Sequence, residues 1–364
     1  LKAFRIIDRY IIRKYVLTFL FIVLLFSLVT VVFDISEKIE KFLSKDISAW
    51  YVIREYYFNF IPWIHSLLFP LYALITVTFF TSRMASQTEI IPMLTSGMSF
   101  TRLLWPFLFA GGLFTGTHLL ANHYLIPRSN KALRTFDNTY IKPGNIKTRD
   151  RNVHLFVAPD VTAFLRIYQP VDTSGLDFRM EKFEGEKMVM LFKAKSIKWK
   201  EPPNIWTLRD YEIRSIGDSS ETLEIHEGES IDSAIHLAPS DFIFISNEKD
   251  MLTTKELKKF IQKERQKGSG ITKVYEVELH RRTADPFTTL ILTFIGACIA
   301  SRKVRGGLGL HLAAGVVLGV GYIFLSKMSL TFANNEVLPI LLAVWIPNLI
   351  FLGVGFCLLQ KAQK

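Results

Sequence analysis

Cysteine is nearly absent: the 364 residues hold two, Cys298 and Cys357, both inside apolar runs. That excludes a disulfide-built scaffold and a cysteine-rich zinc site. Charge is scarce as well, at 21% of residues against 49% hydrophobic, where soluble chains carry roughly 25% charged residues. Acids are the scarcer sign, 33 against 44 Lys+Arg, for a net charge of +11. Such a balance suits a nucleic-acid binder or a membrane protein with basic cytoplasmic edges. No Gly-Lys-Ser/Thr phosphate loop occurs, so ATP is not bound by that route. The eight histidines are scattered, without His-Glu-x-x-His or comparable ligand spacing, and no nucleophile–base constellation is visible. Neither a bound metal nor an enzyme active site is expected. Disorder is excluded by 30 Phe and 12 Tyr.

What the chain has in quantity is long uncharged sequence. Val16–Phe33 runs 18 residues without a charge, about 27 Å of helix at 1.5 Å per residue and enough for a bilayer core. Phe58–Ser82, Leu103–Pro127, Pro286–Ser301, Gly306–Ser326 and Val337–Gln360 follow. Six such runs predict six transmembrane helices and remove the need for a nucleic-acid partner. The first is read as a retained helix rather than a signal peptide, because Asp34-Ile35-Ser36-Glu37-Lys38 continues without a small-residue cleavage site. Lys and Arg set the orientation. Lys2, Arg5, Arg9, Arg13 and Lys14, then Arg83 and Arg102, then Arg302, Lys303 and Arg305, then Lys361 and Lys364, all fall on one side if the spans alternate. That side is expected to be cytoplasmic. The other receives the loop after Phe33, the Asn334-Asn335-Glu336 turn and the long insert between the third and fourth spans.

The insert, roughly Arg128 to Asp285, alternates short apolar-periodic stretches with turn residues. Val153–Val157, Thr162–Tyr168, Met188–Ala194, Ile205–Tyr211 and Asp241–Ile245 read as strands. Pro143-Gly144, Thr173-Ser174-Gly175, Pro202-Pro203-Asn204 and Gly217-Asp218 read as turns. The expected fold is membrane α-helical with an inserted all-β domain, an antiparallel sandwich or jelly roll, over 128–250. Thr253-Thr254-Lys255-Glu256 then opens an amphipathic helix with Leu257, Phe260 and Ile261 on one face, ended by Gly268 and Gly270. With its connector it fills 251–283. Transmembrane helices occupy 1–127 and 284–364.

The chemically informative segment is short: Arg83–Arg102, RMASQTEIIPMLTSGMSFTR. Ser86 or Gln87 can cap a helix over 86–97 with Glu89 in its first turn, where a carboxylate suits the dipole. Ile90, Ile91, Met93 and Leu94 make it too apolar for a solvated loop, and Gly97 offers a stop ahead of Ser99. Such a helix suits the grip of a partner protein, or alternatively the lipid interface. After the first span, Lys38, Lys41 and Lys45 lie three and four residues apart along one helical stripe. They can receive a phosphorylated head group, or equally form a solvated face paired with nearby acids. Lys327 is the clear ionisable residue inside a span, near its outer end. His65, His118 and His123 are expected to be hydrogen-bonded packing residues. The Gly-Gly-Leu-Gly at 306–309 is expected to serve close helix packing. An ion-coupled carrier or channel and a membrane-anchored sensing or scaffolding protein remain open on these grounds.

The segment T-E-I-I-P-M-L-T-S-G-M-S at 88–99 resembles the Ser-Glu-hydrophobic…Ser-Gly-hydrophobic-Ser signature of the lipopolysaccharide-export permeases, the LptF/LptG family. I-D-R-Y-I at 7–11, Tyr275-x-x-Glu278-Leu279-x-Arg281-Arg282…Asp285-Pro286 and L-A-V-W-I-P-N at 342–348 fall in the same order, so the resemblance spans nearly the whole chain. The start and the 256–279 stretch look more like LptG than LptF. Leu94 departs from the many relatives with Arg or Gln, which puts a polar docking contact there in question. The resemblance implies a multi-pass protein of a Gram-negative inner membrane, with a periplasmic β-jellyroll and a cytoplasmic coupling helix. It implies a second LptF/LptG permease, an LptB-type ATPase pair, LptC and periplasmic LptA as partners, and lipopolysaccharide (LPS) taken from membrane lipid as substrate. ATP and Mg would be bound by the ATPase partner and no cofactor by this chain. It also supports basic residues at the outer rim, with Lys41 the best-aligned position.

Overall fold

Six long apolar helices contain the six uncharged runs: Ile6–Ser44, Ala49–Ser86, Phe100–Ile141, Thr272–Ala300, Gly307–Asn334 and Ile340–Ala362, the first to sixth spans. The computed structural model describes residues 5–45, 47–142, 146–148, 151–202, 204–217, 219–245, 248–268, 271–302, 307–335 and 337–362. Lys2, Pro143, Gly144, Pro203, Asp218, Gly270, Lys303, Arg305, Gly306, Glu336 and Lys364, invoked above, lie outside the described residues. The chain divides into a helical unit (1–141, 249–255 and 274–364) and a β unit (142–248 and 256–273). The expected class, membrane helices with an inserted β domain, is what is found.

The helices overrun their apolar cores. The first is 39 residues long, about 58 Å at 1.5 Å per residue and well beyond the roughly 30 Å hydrocarbon core. The third continues through 128–141, which the sequence pattern assigns to the insert. Pro127 follows the π-helical turn Ala121–Leu125 and sits in the first turn of the Ile126–Phe136 segment, where proline is tolerated. Leu133, Phe136 and Ile141 then recur at helical spacing and bury against Val52, Tyr56, Tyr57 and Phe60. Apolar burial therefore outweighs the local charges Arg128, Lys131 and Arg134. The fourth span likewise begins at Thr272, with Pro286 inside it.

Small residues bring the spans together. A Cβ built on Gly296 would lie 2.5 Å from Val77 Cγ1, one on Gly319 2.7 Å from Leu71 Cδ2, and one on Gly355 2.7 Å from Phe294 Cδ1. In lipid, such close approach replaces the hydrophobic drive that water supplies to soluble helices. Gly307 and Gly309, expected to pack in this way, have no neighbour within 4 Å of an added Cβ, because they lie at the helix end and outside the crossing. Gly296→Leu is expected to destabilise the helical unit by about 1–3 kcal/mol or more. Its thermal midpoint in detergent should drop, while Gly309→Leu should leave the midpoint unchanged.

The β unit holds β1 (Ile146–Thr148), β2 (Arg151–Ala158), β3 (Val161–Gln169), β4 (Ser174–Glu184), β5 (Lys187–Glu201), β6 (Ile205–Ile216), β7 (Glu221–Ala234) and β8 (Ile243–Ile245). Strands β2 to β7 form one six-stranded antiparallel sheet in sequential order, and β1 pairs with β8. Alternation turns Trp206 and Leu208 of β6 fully inward, with Leu165, Phe178 and Ile197 from neighbouring strands. The Trp206 indole donates to the Leu237 carbonyl at 2.9 Å, as a buried N–H must. Strands β1, β4 and β7 are additional to those expected. Asp241 is not in a strand: Pro239–Phe242 is a 3-10 turn, in which the Asp241 carboxylate accepts from the Ala238 N–H and from Lys267. The amphipathic helix spans Thr254–Gln266 with Leu257 and Ile261 buried.

Candidate functional site

Between the second and third spans the chain makes a six-residue helix, Ile90–Thr95. It is shorter than the 86–97 expected. Ser86 still belongs to the second span, Gln87 caps that span's end, and Thr88 adopts φ +57°, so neither Ser86 nor Gln87 caps the short helix. Glu89 takes the N-cap position instead, one residue before the first turn, and makes no side-chain cap bond. Pro92 stays in the first turn, where it is tolerated. Gly97 at φ +90° ends the element, a left-handed conformation that favours glycine, and the Ser99 hydroxyl caps the third span by accepting from the Arg102 N–H at 3.3 Å. One face is anchored: Ile90 is buried, with Met93 and Leu94 packed on the same core. The other is open, with Ile91 50% exposed beside exposed Pro92 and Thr95.

Glu89 is occupied. Its carboxylate accepts from the Tyr10 hydroxyl at 2.8 Å and lies 3.4 Å from the Lys14 ammonium. Just past the short helix, the Arg102 guanidinium makes a bidentate pair with Asp8, at 2.8 and 2.6 Å. Asp8 also accepts from the Arg5 N–H at 2.9 Å.

At the opposite end of the first span the three lysines part company. The Lys38 ammonium lies 2.5 Å from Asp34 and also contacts the Tyr56 hydroxyl. Asp34 accepts further from Tyr56 at 3.1 Å and Tyr57 at 3.2 Å. Lys38 is therefore a half-buried partner of a buried carboxylate and not part of a solvent-facing stripe, because Asp34 requires a counter-charge. Lys41 and Lys45 are exposed.

On that same end a cavity of about 290 Å³ opens among the second to fifth spans. Its apolar wall includes Leu67, Leu71 and Leu292, and its charged lining includes Glu278, Arg281, Arg282, Asp285 and Lys327. Glu278 carries two guanidinium partners, Arg281 at 2.8 Å and Arg282 at 3.0 Å. Arg282 reaches on to the carbonyls of Leu252 and Lys249, both at 2.8 Å. The Asn130 amide donates to the Asp250 carbonyl at 3.1 Å, so the segment returning from the insert is held from two spans. Burial, and then the Glu278 charge, push the Asp250 carboxyl above its ordinary value. One step into the membrane, the Asn348 amide donates to the Ala284 carbonyl at 2.9 Å and accepts from Thr288 and Tyr322 at 3.0 and 2.9 Å. The Arg281-Arg282…Asp285-Pro286 and Ile346-Pro347-Asn348 segments thus meet in space.

Residues 9–361 match the family described as lipopolysaccharide export system permease LptF/LptG. The chain belongs to that family. The match does not separate LptF from LptG. No curated protein matches the chain significantly. As an LptF/LptG permease it is a multi-pass membrane subunit for lipopolysaccharide export, not itself the ATPase, and its partners lie in the Lpt system.

Of the permease's histidines, His65 sits between Ser27 at 2.6 Å and Tyr72 at 3.1 Å, and His123 lies 2.8 Å from the Thr254 hydroxyl. His118 is 3.5 Å from the Thr289 hydroxyl. Among the described residues no cluster of three or more His, Cys, Asp or Glu could hold a metal ion. Sequence reasoning missed the Glu278–Arg281–Arg282 cluster and its hold on 249–252. The available signal was a Glu followed three and four residues later by two Arg at the flank of an apolar run. Lys327 is exposed on the same cavity.

Proposed function

We propose that this permease is one half of the membrane channel of an ATP-driven LPS exporter, completed by a second LptF/LptG permease. The observation that carries the reading is the short helix at 90–95, anchored on one face and open at Ile91, Pro92 and Thr95, in a chain of this family. An LptB-type ATPase pair binds ATP and Mg and grips that helix from the cytoplasm, the side indicated by the Lys/Arg flanks. The β unit then lies in the periplasm of a Gram-negative cell, and the helical unit in the inner membrane. LPS enters between the two permeases from the membrane lipid, its phosphates meeting Lys41, Lys45 and Lys327 at the outer rim. The β unit passes it to LptC and LptA. Charges in the fourth span do not favour an ion-coupled carrier, since Glu278 is neutralised by two guanidinium groups. The test is copurification from detergent with the coexpressed partners. Wild-type chain should bring the ATPase with it, and Ile91→Asp, which touches none of the polar contacts of Glu89, should lose it while still inserting. Undiminished ATPase recovery with Ile91→Asp would remove the docking reading.

A further inference from the structure

The short helix cannot hold its own shape or position: six residues make fewer than two helical turns, below any length stable alone. Apart from the packing of Ile90, Met93 and Leu94, two polar contacts fix it, one on each flank. Glu89 at its entrance is held by Tyr10 and Lys14, and Arg102 after its exit is held by Asp8. All three holding residues come from two turns of one element, the first span. The exit contact is the stronger kind, bidentate, with Asp8 2% exposed and a third bond from the Arg5 N–H. The entrance contact is part-exposed and weaker.

The first span then runs from Ile6 to Ser44 with neither proline nor glycine. The second contains Pro62 and Pro70, and the third Pro106. Sharp kinks arise mostly at such residues, so the first span is the stiffest route across the helical unit. Asp8 and Asp34 stand 26 residues apart on it, about 39 Å at 1.5 Å per residue. At the far end Asp34 is tied to the second span through Tyr56 and Tyr57.

We propose that Asp8, Tyr10, Lys14 and Arg102 are positioning residues that clamp the docking helix to the first span, so that movement imposed there is delivered as displacement of that span at the outer rim. The proposal rests on the docking reading above and gives Glu89 a part in the clamp, through the contacts its carboxylate makes with Tyr10 and Lys14.

The experiment uses the assembled transporter in proteoliposomes, reading ATPase content, ATP hydrolysis and LPS released per ATP. Tyr10→Phe combined with Lys14→Met leaves Glu89 in place. It should retain the ATPase and its hydrolysis but lower LPS released per ATP by about tenfold, within the range of ordinary coupling energies. Arg102→Asp should do the same, and adding Asp8→Arg to it should recover most of the loss, a rescue that a fold defect would not show. Normal release per ATP from Tyr10→Phe/Lys14→Met overturns the clamp, whatever the fate of the charge swap. Failure of the docking reading shows itself separately, as retention of the ATPase by Ile91→Asp.

Discussion

Replacing Arg282 by alanine is expected to destabilise the permease by about 3–5 kcal/mol, the usual consequence of breaking a buried, multiply bonded ion pair. The side chain is 4% exposed and each of its three nitrogens donates a hydrogen bond, to Glu278 and to the carbonyls of Lys249 and Leu252. Removal leaves two carbonyls without their donor and Glu278, 5% exposed, with Arg281 alone. Arg282→Lys should rescue little, because one ammonium cannot reproduce a planar fork of three directed bonds. The segment 249–252 is the return of the chain from the β unit into the helical unit. A cysteine placed at Met251, in a chain lacking Cys298 and Cys357, should therefore be labelled faster in the Arg282→Ala background. The thermal midpoint in detergent should drop by several degrees for a unit of this size. An unchanged midpoint together with an unchanged labelling rate would show that Asn130 and the packing of the fourth span hold the segment without Arg282.

The membrane helices were legible because a charge-free window long enough to cross lipid is rare in soluble chains. The ends of those helices were not. Arg128, Lys131 and Arg134 read as the start of a soluble domain, and only the contact of Phe136 and Ile141 with Val52 and Tyr56 makes that stretch part of the third span. Strand β7 escaped notice for a related reason. Its residues are almost all exposed, and its Glu-rich run gives little of the in–out alternation that marks β6. The short helix was legible in place, since Ile90–Leu94 is too apolar for a loop, and Gly97 does end it. The role of Glu89 was not legible, because Tyr10 and Lys14 lie 79 and 75 residues away and local spacing reports only neighbours within a helical turn. Lys38 shows the same limit in reverse: its i,i+4 relation to Asp34 was visible, but not the tyrosines that draw the pair inward.

Lys38 and the pair Lys41/Lys45 are expected to separate cleanly under substitution. Lys38→Met removes the ammonium 2.5 Å from Asp34 and leaves that carboxylate, 9% exposed, with only the hydroxyls of Tyr56 and Tyr57. An unpaired buried charge of this kind costs about 3 kcal/mol or more, so the variant should lose stability before any effect on substrate can be read. Asp34→Asn with Lys38→Met should recover much of it, since removing both charges leaves no unpaired ion. Lys41→Glu with Lys45→Glu acts on exposed groups at the end of the helix, where substitutions usually move stability by no more than about 0.5 kcal/mol. Its thermal midpoint should match wild type, and ATP hydrolysis by the assembled complex should survive, because the clamp and the short helix lie at the other end of the span. LPS crosslinking and release should nonetheless decrease, since two ammonium groups that can pair with phosphate become two carboxylates that repel it. Raised salt should mimic the loss in the wild type, because exposed charges are screened over roughly 8 Å at physiological ionic strength and less above it. Undiminished LPS release from Lys41→Glu/Lys45→Glu would assign these lysines to a solvated helix end and leave Lys327, on the charged cavity among the second to fifth spans, as the cation for the phosphate to meet.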